Sequence, residues 1–599
     1  MHIHKIISIF VLIKRKLLKN MVKNIRVVQS ILYLSLLAFI SFVAYILYIN
    51  QEVLYAAHNH SEFLLGSTFF QSLVSRPFGI MQYAGAWFTQ LFHVPMVGAG
   101  VLVAIWALIF VVGKKAFRLQ GASIGLMLIP VACLLTSIVD LGYWIYVSPI
   151  RGYWFSQSLA YLLMLVLLWG AYFTPRQWHI VWYLIGIVLY PVLGWYSLLF
   201  VLCLAISQKP GWWELIGIIL MLCTASIWRA LIYSNMNLES VMMAGLPRFV
   251  TASDKTDSLT TPFWVLGAIS LLIPLCSKYL NKWYVPVLSA VAGIVFTLSF
   301  MYYDANYIDE MRMVRYAEQD NWEEVLEIAD KTETPTTSII MLKNLALMNE
   351  GGLLSRSFSK GYEGTSIHNP DSVHTSFLEI SAPLVYYNYG MLNEGFRISF
   401  ECAVQSGFSP FYLKMLARCA HANGEDNLAR RYISQLSGLP FYSDWKPATP
   451  SEKICELHGA YQDEITGVEN TDGYIVNSIS LWYESDSKLA SEQALLYSMI
   501  RRDSKRFWAS FRKFIKLHMD EEFPVHVQEA YIMYMDKAPE EKRVMLPVSQ
   551  EIYDRYKEFW SVLEGYLRSG ASRDEVPEKM RKDFGDTYWY YNIFARRVY

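Results

Sequence analysis

The sequence predicts an all-α protein divided between two solvents: a polytopic membrane domain of about nine transmembrane helices, then a soluble domain built of helices. Three observations carry this. The 599 residues are 54 % hydrophobic and 17 % charged, whereas soluble domains run near about 25 % charged. The formal net charge is zero, from 52 Lys and Arg against 52 Asp and Glu. That balance conceals a division, because residues 1–303 hold 19 basic and 7 acidic side chains (+12) and residues 304–599 hold the other 33 and 45 (−12). The third observation is that apolar runs close to the roughly 20 residues needed to cross a bilayer occur only before Asp304.

Those runs lie near 27–49, 96–113, 121–139, 156–173, 179–207, 212–233, 262–277 and 283–302. The fifth is 29 residues long and contains Pro191 and Gly194, so it reads either as one long helix or as two short ones. Cytoplasmic loops collect Lys and Arg, and this arbitrates. With a turn at Pro191–Gly194, the amino terminus and inner loops hold 14 basic residues, against Arg76, Arg151, Arg248 and Lys255 in outer loops. A single pass would put Lys209 outside. The expectation is therefore nine passes, a cytoplasmic amino terminus and an extracytoplasmic carboxyl domain. Residues 1–26 form a basic cytoplasmic lead without a cleavable signal peptide, Met21 being an alternative start. Residues 27–303 form the membrane domain, with a long outer loop at 50–95.

The exported half divides into helical repeats over 304–448 and a carboxyl-terminal helical domain over 449–599. Segments such as 321–332, 384–407, 410–422 and 426–438 place apolar residues at three- and four-residue steps between Gly, Asn or Pro breaks. Gly390 and Gly424 are 34 residues apart, the period of tetratricopeptide (TPR) repeats. The chain over about 312–440 resembles a TPR-like α-solenoid, irregularly, since Gly351 precedes Gly390 by 39 residues. The resemblance implies a groove for a protein or peptide partner; the competing reading is a helical stack that only packs on the membrane block. A basic, aromatic run, Ser504–Trp508 with Arg512, Lys513 and Lys516, is bracketed by Asp503, Asp520, Glu521 and Glu522. It reads as a solvated amphipathic helix, and no nucleic-acid partner is expected. The aromatic tail Tyr588–Tyr591 is expected to dock within the domain or on the membrane surface.

The seven cysteines include no Cys-x-x-Cys, which argues against a zinc site or a disulfide framework. Cys402 and Cys419 read as packing thiols more readily than as a pair. His58-x-His60 with Glu62 lacks a second His or Cys group, so no metal ligands are assigned. Nucleotide-binding, zincin and serine-hydrolase signatures are missing from the sequence.

Chemistry is expected at the outer face. An acidic residue just after the first apolar run (Gln51-Glu52), a following Tyr55-Ala56 and Arg76-Pro77 about 25 residues later resemble the first external loop of GT-C glycosyltransferases. Those are polytopic enzymes that move a sugar from a polyprenyl-phosphate carrier. The resemblance spans roughly residues 28–140, and it departs from the family where Gln51 replaces the first acid of a pair and Arg76 the first of two prolines. It implies that Glu52 is the catalytic carboxylate, with Glu62 and Asp140 as alternates, acting as a base or beside a divalent cation. Arg229, late in the seventh pass, with Arg76, Arg151 and Arg248 would hold the lipid phosphate. Tyr143 and Trp144 would stack on sugar. For the arginines the competing reading is headgroup snorkelling; for Glu52 it is a solvated loop acid. The whole chain, including Phe584-Gly585-Asp586-Thr587-Tyr588-Trp589-Tyr590, also resembles a group of uncharacterised membrane proteins from Bacteroidota-type bacteria with a TPR-like carboxyl domain, and this resemblance implies a bacterial inner membrane with that domain in the periplasm.

Overall fold

The computed structural model describes residues 2–144, 150–175, 178–207, 211–247, 259–333, 335–359, 377–461, 486–535, 546–570, 572 and 575–595. Every regular element among them is helical. Contacts divide the chain into two units, residues 1–303 with 438–441, and residues 304–437 with 442–599.

The first unit contains α1 (His2–Ile49), α2 (Gln51–Asn59), α3 (Ser67–Val74), α4 (Gly79–Thr89), α5 (Pro95–Ala116), α6 (Leu128–Val139) and α7 (Tyr153–Ala171). It continues with α8 (His179–Val188), α9 (Tyr190–Leu193), α10 (Trp195–Ser207), α11 (Trp212–Leu231), α12 (Leu238–Met242), α13 (Thr261–Cys276) and α14 (Val285–Phe300). Among the described residues five stretches are long and apolar enough to cross a membrane: Arg26–Ile49, Pro95–Ala116, Gly121–Val139, Tyr153–Ala171 and Glu214–Leu231. A sixth arises if α14 is joined to the helix after it across a 74° bend. The chain is thus compatible with a membrane protein. Helices α8, α10 and α13 are apolar but shorter.

The run 179–207 turns back on itself. Ser197 Oγ donates to Gly186 O, and a side-chain carbon at Gly186 would meet Val201 at 2.9 Å. Fifteen residues of straight helix would hold residues 186 and 201 about 22 Å apart, so the chain must reverse at Leu189–Gly194. Gly194 makes the reversal with φ +53°, and Ala244 O would lie 2.3 Å from any Cβ there, so only glycine fits.

The core of this unit lies around α6. Of the Gly121–Val139 stretch 89 % is buried, against 22 % of Glu214–Leu231. Small residues allow close approach, as expected where lipid supplies little drive for helix association: a Cβ at Gly293 would meet Ala132 at 2.9 Å, and one at Gly125 would meet Pro286 at 2.5 Å. Thr136 Oγ1 donates to Thr297 Oγ1 at 3.1 Å, joining α6 to α14. Helices α5 and α7 run parallel, because their contacts advance together along both chains. Trp106 Nε1 donates to Ser158 Oγ at 2.9 Å, Gly113 packs on Leu165, and Lys115 sits over Trp169.

The second unit opens with α15 (Ala305–Glu318), α16 (Trp322–Lys331), α17 (Thr337–Glu350) and α18 (Leu353–Arg356). Then come α19 (Phe377–Asn388), α20 (Leu392–Ser406), α21 (Pro410–Ala422), α22 (Asp426–Ser437), α23 (Glu452–Tyr461), α24 (Lys488–Ile500) and α25 (Ser504–Leu517). The chain ends with α26 (Val525–Met535), α27 (Gln550–Arg568), α28 (Glu575–Phe584) and α29 (Tyr588–Phe594). Four of its helical hairpins share one turn. A left-handed residue follows the first helix at Asp320, Gly390, Gly424 and Arg502, and the next N–H reaches back five residues: Asn321 to Tyr316, Met391 to Tyr386, Glu425 to Ala420 and Asp503 to Ser498. This is the glycine-favouring helix stop in which the backbone closes on its own orphan carbonyls. Sequence shows it only at the two glycines.

The aromatic tail docks inside this unit. Tyr588 and Trp589 are fully buried, Trp589 Nε1 donates to Glu529 O at 2.8 Å, and Tyr588 shares hydroxyl hydrogen bonds with Tyr534 and Asn592. Cys419 is buried and Cys402 partly so.

A buried ion pair pins α21 to the end of α15, where Lys414 Nζ meets Glu318 Oε1 and Arg418 donates to Glu318 O at 2.8 Å. Burial pushes the Lys414 amine below its ordinary value, while Glu318 pulls the other way. Lys414→Met therefore leaves a buried carboxylate without its lysine and should cost about 3–5 kcal/mol, with Lys414→Met/Glu318→Leu recovering much of it. Denaturant titration of the three proteins checks this; a single-variant loss under about 1 kcal/mol, as at exposed pairs, would mean that the pair contributes little.

Candidate functional site

The stretch 50–95 is mostly helical. It comprises α2, α3, α4 and a 3-10 turn at Gln90–His93. Helix α2 is buried from Glu52 through Asn59, although the sequence QEVLYAAHN looks amphipathic. Glu52 lies in its first turn, where backbone N–H groups favour a carboxylate.

Short backbone approaches hold this end together. A Cβ on Gly85 of α4 would lie 2.2 Å from Gly152 O, and one on Gly152 (φ +69°) 2.0 Å from Gln82 O. These two glycines let the start of α7 lie directly against α4. Phe78 adopts φ +73° and its N–H donates to Pro191 O at 2.7 Å, so the Arg76-Pro77 turn locks onto the reversal between α8 and α10. Tyr153 OH donates to Ser137 O at 2.6 Å, tying the start of α7 to the end of α6 that carries Asp140.

Arg151 is thereby delivered to Glu62. Its Nη2 lies 2.6 Å from Glu62 Oε2, with the carboxylate side chain 8 % exposed and the guanidinium 39 % exposed. A buried acid gripping a half-exposed cation is a held cation: one face is anchored and the other is open to solvent or ligand. An aromatic cluster surrounds the pair. Phe69 lies 5.8 Å from the Arg151 guanidinium carbon, Phe63 packs edge-on to Phe69 at 5.9 Å, and Tyr83 touches Phe63, Phe69 and Phe70 at 5.5, 6.2 and 5.0 Å. Sequence reasoning passed over Phe63, Phe69 and Tyr83. The available signal was their recurrence after Glu62, Phe63 in the link between α2 and α3, Phe69 on α3 and Tyr83 on α4.

The other expected residues are distributed as follows. Asp140 caps the carboxyl end of α6 and is buried. Tyr143 and Trp144 are buried too, with Tyr143 edge-on to Tyr302 at 6.0 Å. Arg76 is exposed. Arg229 lies in the last turn of α11, exposed, and its Nε donates to Met236 O at 2.9 Å. That bond satisfies a loop carbonyl. Arg248 lies outside the described residues. His58 and His93 approach edge-on at 5.3 Å. No three His, Cys, Asp or Glu side chains converge to hold a metal ion among the described residues.

A family model matches residues 26–595. The chain belongs to the family of unknown function DUF6057. The match begins where the first apolar stretch, Arg26–Ile49, begins and runs through both units, so the DUF6057 pattern is the two units together. No curated protein and no solved structure matches the chain.

The held-cation geometry has a direct test. Arg151→Gln, Glu62→Gln and the double variant, taken through thermal unfolding, should show a coupling of about 1–2 kcal/mol, because each single change strands its partner. Strictly additive losses would show that the two side chains do not depend on each other.

Proposed function

We propose that this protein is an integral inner-membrane glycosyltransferase of GT-C type that transfers a sugar from a polyprenyl-phosphate carrier at the outer face. The observation that carries the reading is the Arg151 guanidinium, anchored by buried Glu62 within an aromatic cluster, at the same end as the Arg76-Pro77 turn. A cation held there suits a departing lipid phosphate, and aromatic walls suit a prenyl chain or a sugar face.

On this reading the three carboxylates take different roles. Glu62 is engaged with Arg151, so its role is to hold the cation. Glu52, buried at the amino end of α2, and Asp140, buried at the end of α6, are the candidates to take the proton from an acceptor hydroxyl as the anomeric carbon is attacked. A resident divalent cation finds no three-ligand set among the described residues. In this reading the nine apolar helices from α1 to α14 are nine passes, with the halves of 179–207 as a short pair, a cytoplasmic amino terminus and residues 304–599 exported. The 34-residue recurrence of the turn at Gly390 and Gly424 supports a TPR-like domain. A second reading rests on those hairpins alone: an envelope scaffold that binds a protein or peptide partner without chemistry.

Glu52→Gln and Asp140→Asn should each lower a cell-surface glycan signal at least about tenfold while the protein accumulates normally. Wild-type glycan in variants of Glu52, Glu62 and Asp140 alike would remove the enzyme reading, and loss of a co-purifying envelope protein on deleting 304–599 would favour the scaffold. A periplasm-active reporter fused after residue 303 should be active; a reporter active only in the cytoplasm would sink the topology.

A further inference from the structure

At the far end of the parallel pair α5 and α7 lies a second cluster of cations. Helix α5 is 22 residues long, about 33 Å at 1.5 Å per residue, so this end is separated from Glu62–Arg151 by roughly a bilayer's hydrocarbon thickness. A cleft of about 430 Å³ opens there, lined by Lys114, Lys115, Arg118 and Gln120 from the end of α5 and by Trp169, Tyr172 and Phe173 from the end of α7. Among the described residues the lining has three cations and no carboxylate.

Lys and Arg at an inner membrane face are expected for orientation alone, and a helix carboxyl end favours them. Two features here exceed that explanation. Two of the heads are seated: Lys115 Nζ lies 4.4 Å over the Trp169 ring and Arg118 Cζ 3.9 Å over the Tyr172 ring. Stacking of this kind holds a cation in place without neutralising it. The backbone also turns Arg118 toward α7, with φ +53° and Leu119 N–H closing on Lys114 O at 2.9 Å, a stop at which glycine would be the unstrained residue. Below the cleft, a Cβ at Gly113 of α5 would lie 3.5 Å from Leu165 of α7, so the two helices are in van der Waals contact just before the cations.

We propose that this cleft binds a phosphate group, through Lys115 and Arg118 on their aromatic seats with Lys114 and Gln120 beside them. The volume accommodates a phosphate with its attached polar group. The position at the end of a membrane-length helix sets the phosphate at headgroup level, where a phospholipid can present it from the bilayer and a soluble phosphate from the aqueous side. This site is independent of the transfer chemistry assigned to the opposite end.

Native mass spectrometry of the full chain in detergent, titrated with phosphatidylglycerol and phosphatidylcholine, tests it. Phosphatidylglycerol should be retained at least about tenfold more tightly than phosphatidylcholine, and Lys115→Gln/Arg118→Gln should abolish that preference. Trp169→Leu/Tyr172→Leu, which keeps every charge, should weaken it as well, and Lys115→Arg should preserve it. Lys114→Gln, at an exposed position, serves if the double variants do not fold, and should weaken it several-fold. Displacement of phosphatidylglycerol by millimolar inorganic phosphate would identify a site open to soluble phosphate; resistance to displacement would identify a lipid headgroup site. Equal retention of the two lipids, or unchanged retention in the folded charge and aromatic variants, would overturn the proposal.

Discussion

Parallel packing of α5 against α7 is the constraint on which the apolar unit depends. Two helices running the same way must be joined by a chain that travels the length of the unit and returns, and α6, the most enclosed apolar stretch, is that return. Parallel alignment also collects the polar groups at two ends. The start of α7 brings Arg151 to Glu62, and the end of α7 supplies the aromatic rings under Lys115 and Arg118.

Glycines sit at close approaches around this pair. Gly85 on α4 would place a Cβ 2.2 Å from Gly152 O and Gly152, just before α7, would place one 2.0 Å from Gln82 O, distances that no Cβ tolerates, while a Cβ at Gly113 of α5 would meet the end of the Met127 side chain. Where lipid replaces water there is little hydrophobic gain from bringing helices together, so complementarity of surface sets their association. The second unit is built differently. Its hairpins are closed by one recurring helix stop, and its interior carries charge, notably Lys414 with Glu318, which water-exposed helices can accommodate when the partner is in place.

Much of the fold was legible in composition and periodicity. All-helical structure and apolar stretches of membrane-crossing length follow from which residues recur at which spacing, and both appear in the structure. The stretch 50–95 was less legible, reading as a loop because its apolar residues come in pieces of 8–11, too short for a span. Its burial comes from neighbours distant in sequence. Of the candidate residues, Glu62 and Arg151 were each named from sequence, but in different roles and without their pairing, because 89 positions of chain separate them.

The sequence by itself determined the helical character of the chain, its division between apolar and charged halves, and the inventory of acids and cations near the apolar runs, since these depend only on residue type and spacing. Tertiary structure alone decided that α5 packs in parallel against α7, that Tyr143 and Trp144 are buried, and that Arg118 and Lys115 rest on Tyr172 and Trp169. The reason is physical: helix formation answers to neighbours within four residues, whereas a cation finds its anchoring carboxylate or ring only where packing has already fixed which helix faces meet.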